Sequence, residues 1–389
     1  MADFPLAGLK VLDFSRVVAG PYATRILSDL GAEVLKVEPP EGDVTRKLFK
    51  RESGVSGNYL QMNIGKQNIC IDLKAEGATE VIRKLAAKAD IVVENFRPGV
   101  MDKFGIGWND LSKVNPRLVM LSISGYGQTG PEREKAAYAP VVHAETGLIA
   151  RQVEMSGGHP TDMQFAMADS YSSLHGIIAI LSALRMRDQT GEGQYIDLAM
   201  LNALHSSDDY AHLALDNIWP KEPENLVWNV PEGRRLILTG DLKWLWIVFS
   251  TKDGLSDPTP AGADIATKVK LRREAIEKHI LSYESFDALI AALDRLNLAW
   301  GEVHPFGPAV YEQPSIKALG TIVDVTDDAG NARRTVQSPY RFSKSKSGID
   351  SNAATAKRGE HNVTALKSWL GLTDEEISHL SDSSILCSD

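Results

Sequence analysis

Asp169 is the first residue whose type and position could do chemistry. It lies in the segment FAMADS and directly precedes a predicted helix over residues 170–186. The dipole at a helix start keeps such a carboxylate ionised at neutral pH, so Asp169 could attack an activated carbonyl. Aspartate is also among the preferred helix N-caps. Taken alone, the position favours the cap.

A second candidate is the turn VVAGPYA at residues 17–23, which follows the first predicted strand. Proline suits the first turn of a helix, where free amide groups can hold an anion. The turn matches neither G-x-G-x-x-G nor G-x-x-x-x-G-K-[ST], which disfavours a dinucleotide dehydrogenase and a P-loop ATPase. An ordinary strand-to-helix turn is the alternative interpretation.

A third group could in principle hold a metal ion on one helical face. Its members are His205, Asp208, Asp209 and His212. Polar helix residues near a domain connection explain this group more simply, and we expect no metal. The sequence has no G-x-S-x-G motif, which disfavours an ordinary thioesterase.

Composition excludes several other classes. The 389 residues carry a net charge of -9, which attracts neither nucleic acid nor an anionic membrane. No apolar stretch approaches the roughly 20 residues of a membrane span, and no leader sequence is visible. The two cysteines, Cys70 and Cys387, fit a reducing compartment. We therefore expect a soluble, unprocessed cytoplasmic protein with no nucleic-acid or membrane partner.

The elements that must position Asp169 alternate between strands and helices over the first 200 residues. Such alternation predicts an α/β domain with a parallel sheet covered on both faces. The predicted strands cover residues 9–14, 33–38, 68–73, 90–95, 118–124 and 194–199, and the predicted helices cover residues 21–30, 79–87 and 170–186.

The domain organisation follows from where this alternation stops. We expect a large α/β domain over residues 1–218, a Pro-, Asn- and Glu-rich linker over 219–232, a smaller α+β domain over 233–337, a polar linker over 338–358, and a C-terminal segment over 359–389.

Within the smaller domain and the C-terminal segment, the predicted strands are 235–239 and 244–250, and the predicted helices are 271–280, 285–296, 363–370 and 373–380; a loop over 252–264 lies among them.

Several ordered blocks give the sequence a recognisable pattern. Residues 6–21 read LAGLKVLDFSRVVAGP, and residues 31–38 read GAEVLKVE. They resemble the opening of the family III CoA-transferases, or CaiB/BaiF family, whose relatives include formyl-CoA transferases and α-methylacyl-CoA racemases. Further similar blocks are Gly42-Asp43 with Arg46, IDLK at 71–74, ENFRPGV at 94–100 and SISGYGQTGP at 122–131, with weaker matches at 358–362 and 370–377.

The resemblance covers most of residues 6–200 and makes Asp169 the expected nucleophile, because it stands at the family's nucleophilic aspartate. It implies transfer of CoA from an acyl-CoA thioester to a carboxylic acid, through an aspartyl anhydride and an aspartyl-CoA thioester. Coenzyme A thioester is then a substrate, and no permanently bound cofactor is implied. Parts of the family use a glutamine near the AGP turn to hold the oxyanion. Val18 stands there in this sequence, so the backbone amides of Val18 and Ala19 are the expected substitutes.

The resemblance also implies a CoA site. Its expected contacts are Lys74, Asn95, Phe96, Arg97, Val100 and Lys103, with Val17 and Phe104 as apolar walls. Some relatives have an arginine where this chain has Pro39. Phosphate binding is therefore expected to shift to Arg46 or Lys36.

Tyr138 separates transferase from racemase. Racemases of this superfamily use a histidine after the QTGP-like block to move a proton beside the thioester carbonyl. This chain has Tyr138 there, which resembles the transferases and makes Tyr138 an expected substrate contact. His143 lies close enough to keep racemase-like proton transfer as the alternative.

The family forms intertwined homodimers with a Rossmann-like large domain, and the resemblance implies the same partner and fold for this chain. A non-enzymatic paralogue would need to have lost the nucleophile, and Asp169 is retained. The acid substrate is hidden because residues 219–340 match poorly. A dicarboxylate is expected by analogy, without an identifiable acid-binding arginine.

Overall fold

The computed structural model describes residues 3–49, 52–218 and 227–388, without the side chains of residues 155 and 156. The chain divides into two compact units, of which the first is Met1–Ile218 with Pro314–Asp389 and the second is Trp219–Gln313. Residues 219–226 of the predicted linker lie outside the described residues.

A six-stranded parallel sheet forms the centre of the first unit, in the order β3-β2-β1-β4-β5-β6. The α/β prediction is confirmed. From β1 the chain adds strands first on one side, β2 and β3, and then on the other, β4 to β6. In such folds, ligands bind outside the carboxyl ends of the strands at this switch point. The strands are β1 (Lys10–Asp13), β2 (Glu33–Glu38), β3 (Gln67–Cys70), β4 (Ile91–Glu94), β5 (Val119–Ser124) and β6 (Gln194–Ala199).

Helices cover both faces of this sheet. They are α1 (Ala19–Asp29), α2 (Gly57–Asn63), α3 (Ala78–Ala86), α4 (Val100–Lys103), α5 (Trp108–Val114), α6 (Ala139–Glu145), α7 (Leu148–Ser156), α8 (Met167–Thr190), α9 (Met200–Ser206) and α10 (Ala211–Leu215), with a 3-10 turn at Val44–Lys47. A hydrophobic core lies on each face of the sheet, and alternate residues of a strand pack into opposite cores. Leu12 and Leu35 pack on one face, and Val11 and Val34 pack on the other. Strands buried on both faces explain the continuous apolar runs in the sequence.

The long helix α8 packs against α1 and the sheet. Gly176 permits this close approach, because a Cβ there would lie 2.8 Å from Cδ2 of Leu121. The apolar residues of this helix divide between a buried side and an exposed side. The structure buries Ile177 and Leu184, whereas a neighbouring row stays exposed, with Ile178 61% accessible. The helix is therefore apolar on two sides, and the second side is exposed.

Over its described residues, 227–313, the second unit contains an antiparallel sheet with three helices. Its elements are β7 (Val227–Asn229), β8 (Arg235–Leu238), β9 (Trp300–Glu302), α11 (Leu242–Lys252), α12 (Ile265–Leu281) and α13 (Phe286–Arg295), with 3-10 turns at Pro231–Gly233 and Pro308–Glu312. β7 occupies residues that the sequence assigned to a linker, because they pair with β8.

The predicted strand over 244–250 is wrong, since this segment forms α11. Asp241 caps the helix by accepting a hydrogen bond from the Trp244 amide at 2.6 Å. Leu245, Val248 and Phe249 are buried at helical spacing. The aromatic and β-branched residues in this run are typical of strands, and burial in the core overrides that preference.

The remaining chain returns to the first unit at Pro314. Its elements are α14 (Pro314–Ala318), β10 (Ile322–Thr326), β11 (Ala332–Val336), α15 (Asn362–Leu370) and α16 (Asp374–Asp382). The hairpin of β10 and β11 packs Val325 against Tyr59 and Leu60 of α2. This contact explains why the return begins earlier than the predicted boundary at residue 337.

A buried ion cluster lies at the end of β1. The Asp13 carboxylate accepts hydrogen bonds from Lys66 Nζ at 3.1 Å and from Thr24 Oγ1 at 2.6 Å. Lys36 Nζ donates to the carbonyl of Ser15 at 2.7 Å and lies 3.3 Å from Asp43. Burial opposes ionisation of Asp13, but Lys66 and Lys36 lower its pKa to about 2. The cluster thereby fixes the backbone that leaves β1.

We predict that Asp13→Asn lowers the free energy of unfolding by about 3–5 kcal/mol at pH 7, because it leaves Lys66 buried without its counterion. The pKa of Asp13 is lowered on folding, so its contribution is present above the unfolded pKa near 4 and is lost as the pH falls toward 2. Urea unfolding at several pH values measures this. Asp188→Asn on the exposed side of α8 is the control, and a loss below about 1 kcal/mol for Asp13→Asn would contradict the prediction.

Candidate active site

The backbone between β1 and α1 adopts a strained conformation beside the end of β4. Asn95 binds both backbone polar groups of Arg16: its side chain accepts from the Arg16 amide and donates to the Arg16 carbonyl, each at 2.8 Å. Val17 has a φ of 69°, which is rare for a β-branched residue and typical of functional turns. A Cβ on Gly20 would lie 2.1 Å from Cβ of Ser15, so glycine is required there. No pattern in the sequence predicts the positive φ of Val17.

Asp169 lies in the first turn of α8, at the point where α8 meets α1. It is not the N-cap, because the helix begins at Met167 and Ala166 occupies the cap position. The carboxylate is 7% exposed, and its Oδ1 accepts a hydrogen bond from the Ala19 amide at 3.2 Å. Ser173 Oγ strengthens the same junction by donating to the Ala19 carbonyl at 2.6 Å.

Burial dominates the electrostatics of Asp169. It raises the pKa of the carboxyl to about 6, although the amides of Ala19 and Ala139 act in the opposite direction. The group is therefore ionised at neutral pH but poorly solvated. A carboxylate of this kind is a stronger nucleophile than one in open water.

Asp169 opens into a cavity of about 250 Å³ at the carboxyl ends of β1, β4 and β5. Seven of the expected site residues line it together: Asp169, Val17, Ala19, Asn95, Phe96, Arg97 and Tyr138. A larger cavity of about 480 Å³ in the same unit is bordered by Lys66 and His361 and includes none of the expected site residues. The smaller cavity is therefore the candidate active site.

The other expected contacts do not border this cavity. Val18 caps the start of α1, whereas Lys74 follows β3. Val100 and Lys103 lie in α4, and Phe104 follows it and packs against the core. The roles of Lys74, Val100, Lys103 and Phe104 in CoA binding, and of Val18 beside the oxyanion, stay predictions.

Arg46 and Lys36, the expected replacements for a phosphate-binding arginine, both have internal partners. Arg46 donates to both carboxylate oxygens of Glu38, at 2.8 and 2.9 Å. Lys36 is buried between Asp43 and the Ser15 carbonyl. Binding a phosphate would require breaking these contacts.

Three cations that line the cavity were given no role by sequence reasoning: Arg16, Arg133 and Lys135. Arg133 and Lys135 are exposed and pair with neighbouring glutamates, Arg133 with Glu134 at 2.9 Å and Lys135 with Glu145 at 2.6 Å. The mixed-charge run PEREK at 131–135 resembles an ordinary solvated loop. The fold alone brings it to the cavity.

His143 supports the helix that carries Asp169 and does not line the cavity. Its ring is fully buried, with Nδ1 2.8 Å from Asp162 and Nε2 accepting from the Ala168 amide at 3.1 Å. Because the amide can only donate, Nε2 carries no proton and Nδ1 donates to Asp162. Both nitrogens are engaged. The closeness of His143 to the site therefore no longer supports the racemase alternative. Tyr138, not His143, lines the cavity.

The alternative metal group is not assembled. Both oxygens of Asp208 accept from Arg151 at 2.8 Å, and Nδ1 of His212 lies 3.0 Å from the carbonyl of Asp209. Within residues 3–49, 52–218 and 227–388, no three His, Cys, Asp or Glu side chains come together as metal ligands. Over the same ranges, no helix has the length and apolar character needed to span a membrane.

Comparison with known proteins adds independent observations. The model of CoA-transferase family III matches residues 6–362. The succinyl-CoA–L-malate CoA-transferase beta subunit of Chloroflexus aurantiacus is 31% identical, over 97% of this chain and 96% of that protein. The succinate–glutarate CoA-transferase of Agrobacterium fabrum is 29% identical, over 93% of this chain and 95% of that protein. A crystal structure of a CaiB/BaiF family protein from Brucella suis has a TM-score of 0.77 and 29% identity, and covers 94% of this chain and 100% of its own.

We predict that His143→Leu lowers the free energy of unfolding by about 1–3 kcal/mol, because the buried Ala168 amide loses its acceptor. His143→Gln should restore most of the loss, since its amide can accept from Ala168 and donate to Asp162. Urea unfolding measures both variants. His205→Leu, at an exposed histidine, is the control. Equal stability of the Leu and Gln variants would show that these hydrogen bonds do not hold the start of α8.

Proposed function

Since this chain belongs to CoA-transferase family III, we propose that it moves CoA from an acyl-CoA thioester to a carboxylic acid through covalent intermediates on Asp169. The observation that carries this proposal is the buried, ionisable Asp169 carboxylate, which faces a cavity and touches the Ala19 amide.

The first half of the reaction loads Asp169. Its carboxylate attacks the thioester carbonyl, the C–S bond breaks, and CoA leaves as the thiolate. The product is a mixed anhydride between the acyl group and Asp169. The thiolate then attacks the Asp169 carbonyl, which releases the donor acid as a carboxylate and leaves an aspartyl-CoA thioester. The acceptor acid runs these steps in reverse, so no proton or redox partner is consumed.

Each addition forms an oxyanion that needs a hydrogen-bond donor. The Ala19 amide already contacts Oδ1 of Asp169, so it is placed to hold the oxyanion that forms when the Asp169 carbonyl is attacked. Tyr138 lines the same cavity, and we assign its hydroxyl to the oxyanion of the incoming thioester. Removing one such donor typically lowers kcat by about 10²–10³. Val18 contributes no side-chain donor.

CoA brings a chain of phosphates that needs cations at the cavity mouth. Arg97, Arg133 and Lys135 are exposed on the cavity wall and are therefore accessible to phosphates. Phe96 supplies an apolar surface beside them. We propose that Lys74 and Lys103 extend this phosphate contact outside the cavity.

The acid is proposed to be a short dicarboxylate. The support is the relatives, whose names give malate and glutarate as acids. Free thiols at Cys70 and Cys387 fit a reducing compartment, and we place the protein in the cytoplasm.

We also propose that the chain works as an intertwined homodimer. The support is the exposed apolar row Leu174, Ile178 and Leu181 along α8. A row of this kind on a soluble enzyme usually marks a protein contact. A second copy of the chain would bury it.

We predict that incubation with an acyl-CoA places a hydroxylamine-sensitive adduct on Asp169, detected by mass spectrometry, and that Asp169→Asn abolishes both the adduct and turnover. The rate of adduct formation should rise with pH through about 6 and then level off, because only the ionised carboxylate attacks. Asp209→Asn, at an exposed aspartate, should behave as wild type. Exchange of the α-proton for deuterium without an adduct would support the racemase instead.

We predict that Ile178→Arg shifts the protein from dimer to monomer in sedimentation velocity, because it buries a charge in the proposed contact. Ile265→Arg is the matched control, since Ile265 is also an exposed isoleucine on a helix. A wild-type monomer, or an Ile178→Arg variant that remains dimeric, would refute the proposed contact.

A further inference from the structure

Arg16 differs from the other cations that line the active-site cavity. Arg97, Arg133 and Lys135 are exposed, whereas Arg16 is half-buried. Its guanidinium carbon lies 5.0 Å from the centre of the Phe96 ring. The two hydrogen bonds from Asn95 fix its backbone. Arg16 is therefore a preorganised cation set deeper than the others.

The side chain of Arg16 has no counterion in the described part of the chain. Its Nε is buried and has no hydrogen-bond partner there. Asp43, the acid that contacts the neighbouring Val17 amide, lies 3.3 Å from Lys36 and also accepts from Thr45. A buried guanidinium donor without a partner is costly, and such groups in native proteins usually meet a ligand or water.

The position of Arg16 relative to Asp169 selects the ligand. Ala19, whose amide contacts Asp169, is three residues after Arg16. The Cα atoms of Arg16 and Ala19 are therefore at most about 10 Å apart. CoA phosphates would meet the exposed cations first. The anion that reaches the half-buried Arg16 must be small, and the other end of the same molecule must lie near Asp169. A second carboxylate on the transferred acid meets both conditions, and guanidinium binds carboxylate in a bidentate manner.

We propose that Arg16 is a specificity-determining residue that binds the distal carboxylate of a dicarboxylic acid while the other carboxylate reacts at Asp169. This inference rests on the proposed CoA transfer. Phe96 and Asn95 act as positioning residues for Arg16, one through its ring and the other through the backbone.

The test compares acids of equal length that differ in the distal group. Exchange of labelled succinate with succinyl-CoA is measured beside exchange of labelled butyrate with butyryl-CoA, so each assay contains one acid. Wild type should favour succinate. Arg16→Gln should lower succinate exchange by about 100-fold, since a desolvated charge contact is lost, and leave butyrate exchange close to wild type. Arg16→Leu should raise butyrate exchange, because it offers an apolar surface to the methyl end.

Arg97→Gln is the matched control, since it removes an exposed arginine of the same cavity. It should weaken both exchanges by the same factor through CoA. The proposal is overturned if both Arg16 variants change the two exchanges in parallel, which would assign Arg16 to CoA, or if neither variant shifts the ratio. The Asp169 adduct, measured in the same samples, separates the two proposals. If the adduct forms but the ratio of succinate to butyrate exchange does not shift, only the role of Arg16 is refuted. If wild type forms no adduct, the proposed transfer itself is refuted.

Discussion

Burial of the Asp169 carboxylate against the Ala19 amide is the constraint on which the candidate site depends. A carboxylate that is 7% exposed is ionised at neutral pH only because donors compensate for the lost water. The Ala19 amide can reach it only if α1 begins at the end of β1 and α8 approaches it closely. The glycines at positions 20 and 176 permit these two approaches, since any side chain there would collide with a neighbour.

The same junction explains why an ion cluster is buried beside the active site. The backbone from Ser15 to Ala19 includes Val17 in a left-handed conformation, which costs on the order of 1–3 kcal/mol and would relax without support. Asp13 and Lys36 hold its start, and Asn95 holds Arg16 from the neighbouring strand. The cluster thus stabilises the backbone geometry that brings the Ala19 amide to Asp169. Asp13 does not line the active-site cavity and matters for the site through this geometry.

The sequence reveals those parts of the protein that local pattern determines. Alternating apolar runs predicted the parallel sheet, and ordered motifs predicted Asp169 and Tyr138 as site residues, both of which line the cavity. The run at 244–250 was misjudged because its composition is typical of a strand, whereas the cap at Asp241 and burial in the core make it a helix. The roles of Arg16, Arg133 and His143 depend on which chain segments meet in space. No spacing in the sequence shows that Nε2 of His143 accepts from Ala168 or that the loop with Arg133 lines the cavity.

The position of basic groups also explains why this site suits acyl transfer rather than proton transfer. A racemase needs a general base on each face of the α-carbon of its substrate, and Asp169 could supply only one of them. Here the nearby histidine is turned into the protein, with one nitrogen holding the helix of Asp169 and the other bonded to Asp162. The cavity instead presents one buried carboxylate and cations at two depths. Permanently charged arginines cannot remove a proton at neutral pH, but they can hold anions on either side of a nucleophile. The arrangement therefore favours binding two acidic partners in turn, which is what a transfer between acids requires.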